Sequence, residues 1–382
     1  MRLLPGAEHF RVTELPAYEP EGAGEHLYVL VEKEGLNTDD VIAALARVTG
    51  RAARDVGYAG RKDRVAVVRQ WLSVRLGEEA ALAKLPEYAG SGGRLEVVEV
   101  SRHRNKLRLG HLRGNRFRLG LDGAGEAGEV ARVRESLARL TRFGLENRFG
   151  AQRFGHGGAN VAVARAWASG DAARAAALCV VDSGDWRPGD SLPAEFRPGL
   201  FGRVVGALRR DPAEPERALR AAGRGFAKLV ASAAQAAVFN AVLDARREAG
   251  LTHSARAGDV FRRAGGGLFR VSAADVASAH ERAAPGRLEA FATGPLPGPD
   301  MYAPSREVDA EERAWSDRVE IDWRWFDSGP LASPGDRREL VVPFLEAPRL
   351  EVEGDLATLE LALPPGSFAT EVLSQCGVTG RV

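Results

Sequence analysis

The stretch GYAGRKDRVAVVRQWLSVRL, Gly57 to Leu76, places a glycine-containing loop, a cluster of charges and a strand pattern within twenty residues. Apolar and polar positions alternate in its second half, which predicts a half-buried β-strand. One predicted face carries Leu72, Val74 and Leu76, and the other carries Arg69, Trp71, Ser73 and Arg75. The first half is then a loop that delivers Asp63 to the edge of this strand. Gly57 and Gly60 permit backbone angles or close approaches there that a side chain would forbid.

Asp63 stands among three cationic residues, Arg61, Lys62 and Arg64. Cations within about 4 to 6 Å favour the ionised form of an acid, so Asp63 is expected to be a carboxylate at neutral pH. Such a group suits a nucleophile or a base. Charge and turn chemistry alone favour a solvated turn with surface ion pairs.

The loop is expected to be held between regular elements. Upstream, Asn37 or Thr38 begins a helix that Gly50 ends, and a short helix over 51–56 leads into the loop. Farther along, helical periodicity predicts helices over about 127–143 and 226–249.

The bulk composition limits the class of protein. A chain of 382 residues exceeds one comfortable core, which predicts two domains or one domain with a large insertion. The net charge of +1 means that a polyanionic partner has to be held by a local patch. Two cysteines, Cys179 and Cys376, predict neither a disulfide framework nor a zinc site. The N-terminal MRLLPGAEHF does not read as a signal peptide, so we expect a cytoplasmic protein with no membrane partner and no metal.

The most basic segment is SRHRNKLRLGHLRGNRFRLGL, residues 101–121, called the basic segment below. Its alternation predicts two strands joined by a glycine-containing turn, with one apolar and one cationic face. A phosphate backbone could lie along the cationic face, although charge also protects sheet edges. The residues expected to contact such a phosphate backbone are Arg102, Arg104, Lys106, Arg108 and Arg116.

Three further segments share with the Asp63 segment a resemblance to one family: EHFRVTE (8–14), GLENRFGAQRFGHGGANV (144–161) and LELALPPGSFATEVLSQCG (359–377). In the same order they resemble motifs of the TruD family of tRNA pseudouridine synthases, as does the basic segment. The Asp63 segment is similar to the family's G-x-K-D-[RK]-x-A-V-T-x-Q-W string. The departures are Val68 for Thr, Glu146 and Arg148 for Pro and Tyr, Ser374 and Gln375 for Arg and Glu, and Leu4 or Arg2 where a lysine is usual.

The resemblance implies an α+β fold: a pseudouridine-synthase catalytic domain with a mixed or antiparallel central sheet flanked by helices. This domain would comprise residues 1–156 and 339–382 and be interrupted by a large α/β insertion domain over 157–338. The implied activity is conversion of uridine to pseudouridine in tRNA, at uridine 13, by a monomer without a cofactor. Asp63 would be the catalytic carboxylate. The implied substrate-binding residues are Phe10, Lys62, Asn147, Phe149 and Phe368.

Within these roles several alternatives stay open. Asp63 could attack the sugar, attack the base or abstract a ribose proton. Phe149, Phe10 and Phe368 would hold the everted uracil and Asn147 would pair with its polar edge, while Lys62 would hold a phosphate.

Two rival functions follow from the residues alone. In a non-catalytic RNA-binding module, the basic segment would suffice and Asp63→Asn would leave both binding and RNA product unchanged. In a nucleotide-binding enzyme, the GYAGRK loop would hold phosphates, and calorimetry would detect the nucleotide.

Overall fold

The computed structural model describes residues 1–62, 64–75, 79–88, 92–181, 184–187, 190–192 and 199–380. Its strands are β1 (Arg2–Leu3), β2 (Phe10–Pro16), β3 (His26–Glu34), β4 (Gly57–Tyr58), β5 (Val67–Arg75), β6 (Arg94–His103), β7 (Leu112–Asp122), β8 (Leu145–Glu146), β9 (Val260–Arg263), β10 (Leu268–Arg270), β11 (Ala290–Leu296), β12 (Asp336–Glu339), β13 (Val341–Val342), β14 (Glu346–Glu353) and β15 (Leu356–Leu363).

The α-helices are α1 (Thr38–Thr49), α2 (Glu129–Phe143), α3 (Ala151–Phe154), α4 (Ala159–Ala168), α5 (Ala172–Val180), α6 (Leu200–Leu208), α7 (Pro215–Ala221), α8 (Arg224–Glu248), α9 (Val276–Ala283), α10 (Arg306–Ser316) and α11 (Ala369–Gln375). The expected helix over 51–56 is only a 3-10 turn, Ala53–Asp55.

Local sequence signals fix both ends of α1. The Asn37 side chain accepts from the backbone N–H of Asp40, and the Asp40 carboxylate accepts from the N–H of Asn37, a reciprocal capping box. Gly50 ends the helix with a φ of +64°, the left-handed conformation that glycine adopts without strain. The predicted helix and its ends are confirmed.

The chain divides into two compact units. Unit 1 comprises Met1–Leu145 and Val342–Val382, and unit 2 comprises Glu146–Val341. The sequence placed these divisions after His156 and after Arg338. The first division lies earlier because the backbone of Asn147 and Phe149 is hydrogen-bonded to Leu340 and Asn240, which belong to unit 2.

Unit 1 is built on a nine-stranded sheet with the order β14-β15-β7-β2-β5-β3-β6; β1 also pairs with β7, and β4 with β5. β2 and β5 run parallel, whereas β2 and β7, β3 and β5, and β15 and β7 run antiparallel. The sheet is therefore mixed, which confirms the predicted fold class.

Both larger cores of unit 1 lie against the same face of β5, at residues of even number. Val12, Val68 and Phe117 belong to one core and Leu72 and Val74 to the other. The strand β5 is less exposed than predicted, because Trp71 packs against Leu107 of the basic segment instead of facing solvent.

Unit 2 places helices around α8 beside a four-stranded sheet of order β10-β9-β11-β12. Phe226, Val230 and Val238 on α8 belong to its largest core. By length and composition α8 could cross a membrane, but 67% of its apolar window is buried within the protein, as in the core helix of a globular unit.

Candidate active site

The loop that leads to Asp63 depends on a close approach at Gly57. A Cβ atom on Gly57 would lie 2.3 Å from the carbonyl oxygen of Leu107 and 2.5 Å from Oγ of Ser73. Both distances are shorter than real Cβ contacts, so only glycine fits where β4 passes the basic segment. The structure describes the loop up to Lys62 and again from Arg64, and Asp63 itself lies outside the described residues.

Lys62 is held by a buried ion pair. Its Nζ donates to Oε2 of Glu14 at 2.6 Å, and the side chains of the lysine and the glutamate are 6% and 1% exposed. The ammonium group thus faces a carboxylate inside the protein, and the phosphate-binding role of Lys62 stays a prediction. Burial raises the pKa of the Glu14 carboxyl, although the neighbouring ammonium group opposes the shift.

A hydroxyl and an amide fix the backbone of the same loop. Oγ1 of Thr38 accepts from the N–H of Lys62 at 2.9 Å and donates to Oε1 of Gln70 at 3.2 Å. Nε2 of Gln70 donates to the carbonyl of Gly60 at 2.6 Å. We call Glu14, Thr38 and Gln70, all buried, the loop clamp. It joins β2, the start of α1 and β5 to the residues immediately before Asp63.

The residue after Asp63 is anchored as well, beside a cavity. Nε of Arg64 donates to the carbonyl of Gly35 at 2.6 Å. Arg64 lines a cavity of about 640 Å³ together with Phe10, Leu4, Gly93 and others of unit 1. This volume lies within the range of about 300 to 1,000 Å³ that is usual for small-ligand pockets.

Phe10 is half-buried at this cavity, and its ring meets the edge of Phe117 with centroids 6.2 Å apart. One side of the ring thus belongs to the core while the residue also borders the open space. Phe368, the other half-buried aromatic predicted for the site in unit 1, precedes α11 as its N-terminal cap residue.

The basic segment does not form the predicted two-stranded surface. Residues 104–111 are irregular, and β6 and β7 are separated in the sheet by β2, β5 and β3. Arg102 therefore lies on a strand far from that of Arg116. The error arose because alternation predicts strands but not their partners, and here each strand pairs with a distant segment.

Acids from elsewhere in the chain accompany most of the predicted RNA-contacting residues. Arg104 pairs with Glu21 at 2.7 Å, and Arg116 pairs with Glu346 at 2.7 Å. Arg102 lies 3.8 Å from Glu79. Lys106 instead donates to the carbonyl of Arg54 at 2.8 Å, which joins the basic segment to the turn before β4, and Arg108 is exposed.

Asn147 lies in unit 2, and its polar atoms form hydrogen bonds with other residues of that unit. Its Nδ2 donates to the carbonyl of Glu339 at 3.0 Å, and its Oδ1 and its backbone carbonyl both accept from the guanidinium group of Arg338. The side chain is buried. Internal partners occupy that amide in this structure, and its pairing with a uracil edge stays a prediction.

Phe149 also has internal partners. Cζ of Arg338 lies 4.2 Å from the ring centroid, and Phe239 meets the ring edge at 5.5 Å. Burial lowers the pKa of Arg338 to about 10, so the guanidinium group remains a cation at neutral pH. Because the residue is only 8% exposed, its ring is not an open stacking platform in this structure.

Sequence reasoning missed the loop clamp, although one signal was available. Phe10, Val12 and Glu14 occupy alternate positions of β2, so Glu14 falls on the face that Val12 buries. A charged residue on a buried face requires a partner of opposite charge. No group of three or more His, Cys, Asp or Glu side chains arranged to hold a metal occurs within the part of the chain that the structure describes.

Comparisons by family model, by sequence and by structure all match this chain to tRNA pseudouridine synthase D over nearly its whole length. The family model for tRNA pseudouridine synthase D (TruD) matches residues 1–197 and 201–376. A tRNA pseudouridine synthase D of Geobacter metallireducens is 38% identical over 397 residues, covering 98% of this chain and 94% of that protein. One from an Anaeromyxobacter species is 38% identical and covers 96% and 90%. A crystal structure described as TruD from Methanosarcina mazei superposes with a TM-score of 0.73 at 24% identity, covering 99% of this chain and 94% of that one.

Proposed function

Because this chain belongs to the TruD family of tRNA pseudouridine synthases, we propose that it isomerises uridine to pseudouridine in tRNA, at uridine 13, with Asp63 as the catalytic carboxylate. The observation that carries the assignment of Asp63 is the anchoring of its chain neighbours. Lys62 is fixed by the loop clamp, and Arg64 is fixed to Gly35 at the cavity that Phe10 lines. A reacting carboxylate needs this kind of preorganised support.

The reaction itself needs no external electron or group donor. The bond between ribose C1′ and uracil N1 breaks, the base turns, and C1′ joins C5, while the hydrogen on C5 is lost as a proton and N1 gains one. A carboxylate can assist by attacking the sugar, by attacking the base or by removing a ribose proton. In each case the clamp would keep Asp63 in place while the base moves.

The experiment is pseudouridine mapping on an unmodified tRNA transcript after incubation with purified protein. Asp63→Asn should abolish product while tRNA affinity stays within a few-fold, since phosphate contacts supply most of the binding energy. Asp55→Asn is the matched control, because Asp55 is an exposed acid of the turn that leads to the same loop. Turnover by the Asp63 variant equal to that of the control would refute the assignment.

The position within tRNA is tested separately. A transcript with cytidine at position 13 should give no pseudouridine, while the unaltered transcript gives one. Product on the altered transcript would show that the enzyme acts elsewhere, without affecting the assignment of Asp63.

A further inference from the structure

The face of the nine-stranded sheet that turns away from the two larger cores of unit 1 carries exposed arginines on three adjacent strands. Arg11 lies on β2, Arg69 on β5, and Arg116 and Arg118 on β7. In each strand they alternate with the core residues Val12, Val68 and Phe117, so their side chains project from the opposite face. We call these four residues the arginine patch.

The strand register makes the members of the patch neighbours. Arg11 is directly opposite Arg118, and Thr13 is opposite both Arg116 on one side and Arg69 on the other. Neighbouring strands lie about 4.8 Å apart, so three strands carry the guanidinium groups across about 10 Å. The four arginines line one shallow depression of about 200 Å³, in which Glu32 and Glu360 are the acids.

The acids compensate the patch only in part. Glu32 accepts from Arg69 at 2.9 Å but also from Arg94 at 2.7 Å, so one carboxylate serves two cations. Glu360 lies 3.6 Å from Arg118, and Glu346 pairs with Arg116 at 2.7 Å. Arg11 has no ion pair with any residue that the structure describes, although it sits opposite a second arginine.

This arrangement works against the stability of the free protein. Like charges directly opposite in an antiparallel pair are destabilising, and a bound anion would offset this repulsion. Planar guanidinium groups bind phosphate oxygens with two parallel hydrogen bonds, which makes arginine suited to a nucleic-acid backbone.

We propose that the arginine patch binds the phosphate backbone of tRNA. This inference rests on the proposed function and adds a contact surface that only partly overlaps the basic segment, since Arg116 and Arg118 belong to that segment whereas Arg11 and Arg69 do not. Arg11 and Arg69 were not recognised from the sequence, because they lie on β2 and β5 and meet the arginines of β7 only through long-range pairing.

The test measures the affinity of full-length protein for an unmodified tRNA transcript between 50 and 200 mM salt. The double variant Arg11→Gln, Arg118→Gln should bind roughly tenfold or more weakly at 150 mM salt. The slope of log affinity against log salt should become shallower by up to about 1.4 to 1.8, at about 0.7 to 0.9 for each phosphate that the variant no longer neutralises. Glu360→Gln should act in the opposite sense and strengthen binding about two- to fivefold, because it frees Arg118.

Arg134→Gln is the control for charge, since it removes one exposed arginine from α2, outside the patch. It should leave the salt slope unchanged. The Tm of Arg11→Gln without RNA should be equal to or above that of the unaltered protein, because the like-charge pair has been removed. A lowered Tm with an unaltered salt slope would make Arg11 a structural residue and overturn the proposal.

The remaining outcomes separate this inference from the proposed function. If the unaltered protein forms pseudouridine but the double variant keeps the full salt slope, only the proposed role of the arginine patch is overturned. Unaltered protein that neither binds the transcript nor modifies it overturns both.

Discussion

The segments around Lys62 in unit 1 and around Phe149 in unit 2 both resemble motifs of one family, yet their surroundings differ. Lys62 is fixed by residues of other elements, and its loop continues to Arg64 at an open cavity. Phe149 is covered by Arg338 and Phe239, and its backbone is tied to Asn240. Resemblance identifies the residues that matter, whereas burial and hydrogen bonding decide whether a residue is free to meet a ligand. Three variants probe this difference.

The largest effect is expected from breaking the buried ion pair. Lys62→Met should lower the free energy of unfolding by about 3 to 5 kcal/mol, because it leaves the Glu14 carboxylate buried without its cation. The double variant Glu14→Leu, Lys62→Met should recover much of this loss in urea denaturation. If the two single changes simply add in the double variant, the pair is not coupled and the clamp has been misinterpreted.

A smaller effect is expected at Thr38, whose hydroxyl serves both Lys62 and Gln70. Thr38→Val keeps the shape but leaves a buried N–H and a buried amide oxygen without this partner, at a cost of about 1 to 3 kcal/mol. We expect kcat for pseudouridine formation to fall while KM for tRNA changes little, since the loop is displaced but phosphate contacts remain. Thr38→Ser restores the hydroxyl and should restore kcat. Equal kcat values for the valine and serine variants would contradict the positioning role.

The smallest effect is expected at Phe149. Phe149→Leu keeps most of the apolar volume and removes the cation–π interaction with Arg338, which should lower stability by about 0.5 to 2 kcal/mol. Product formation should stay within about twofold of the unaltered protein if the ring is part of the core of unit 2. If product formation instead drops tenfold or more with an unchanged Tm, the Phe149 ring contacts the uracil, and both motifs contribute directly to the reaction.

The sequence was sufficient to predict features that depend on neighbouring residues, such as helix ends. It was insufficient for features that depend on which strands pair. Asn37 and Gly50 mark the ends of α1, because capping depends on residues within one turn. Gly57 was rightly identified as a point of close approach. The partner of Lys62 is 48 positions away, and the register that places Arg11 opposite Arg118 spans more than a hundred residues. Alternation alone contains no information on either pairing.

The pairing of β15 with β7 has a consequence for the order of events during synthesis. Leu359 on β15 faces Leu119 on β7, and all of unit 2 is translated between these strands. Unit 2 is a continuous segment and can fold as it leaves the ribosome. One edge of β7 stays unpaired until β15, near the end of the chain, has been synthesised. Unpaired strand edges are sites of misassociation. Nascent chains of this protein are therefore expected to be most vulnerable to aggregation after their second folding unit is complete and before their C-terminal strands emerge.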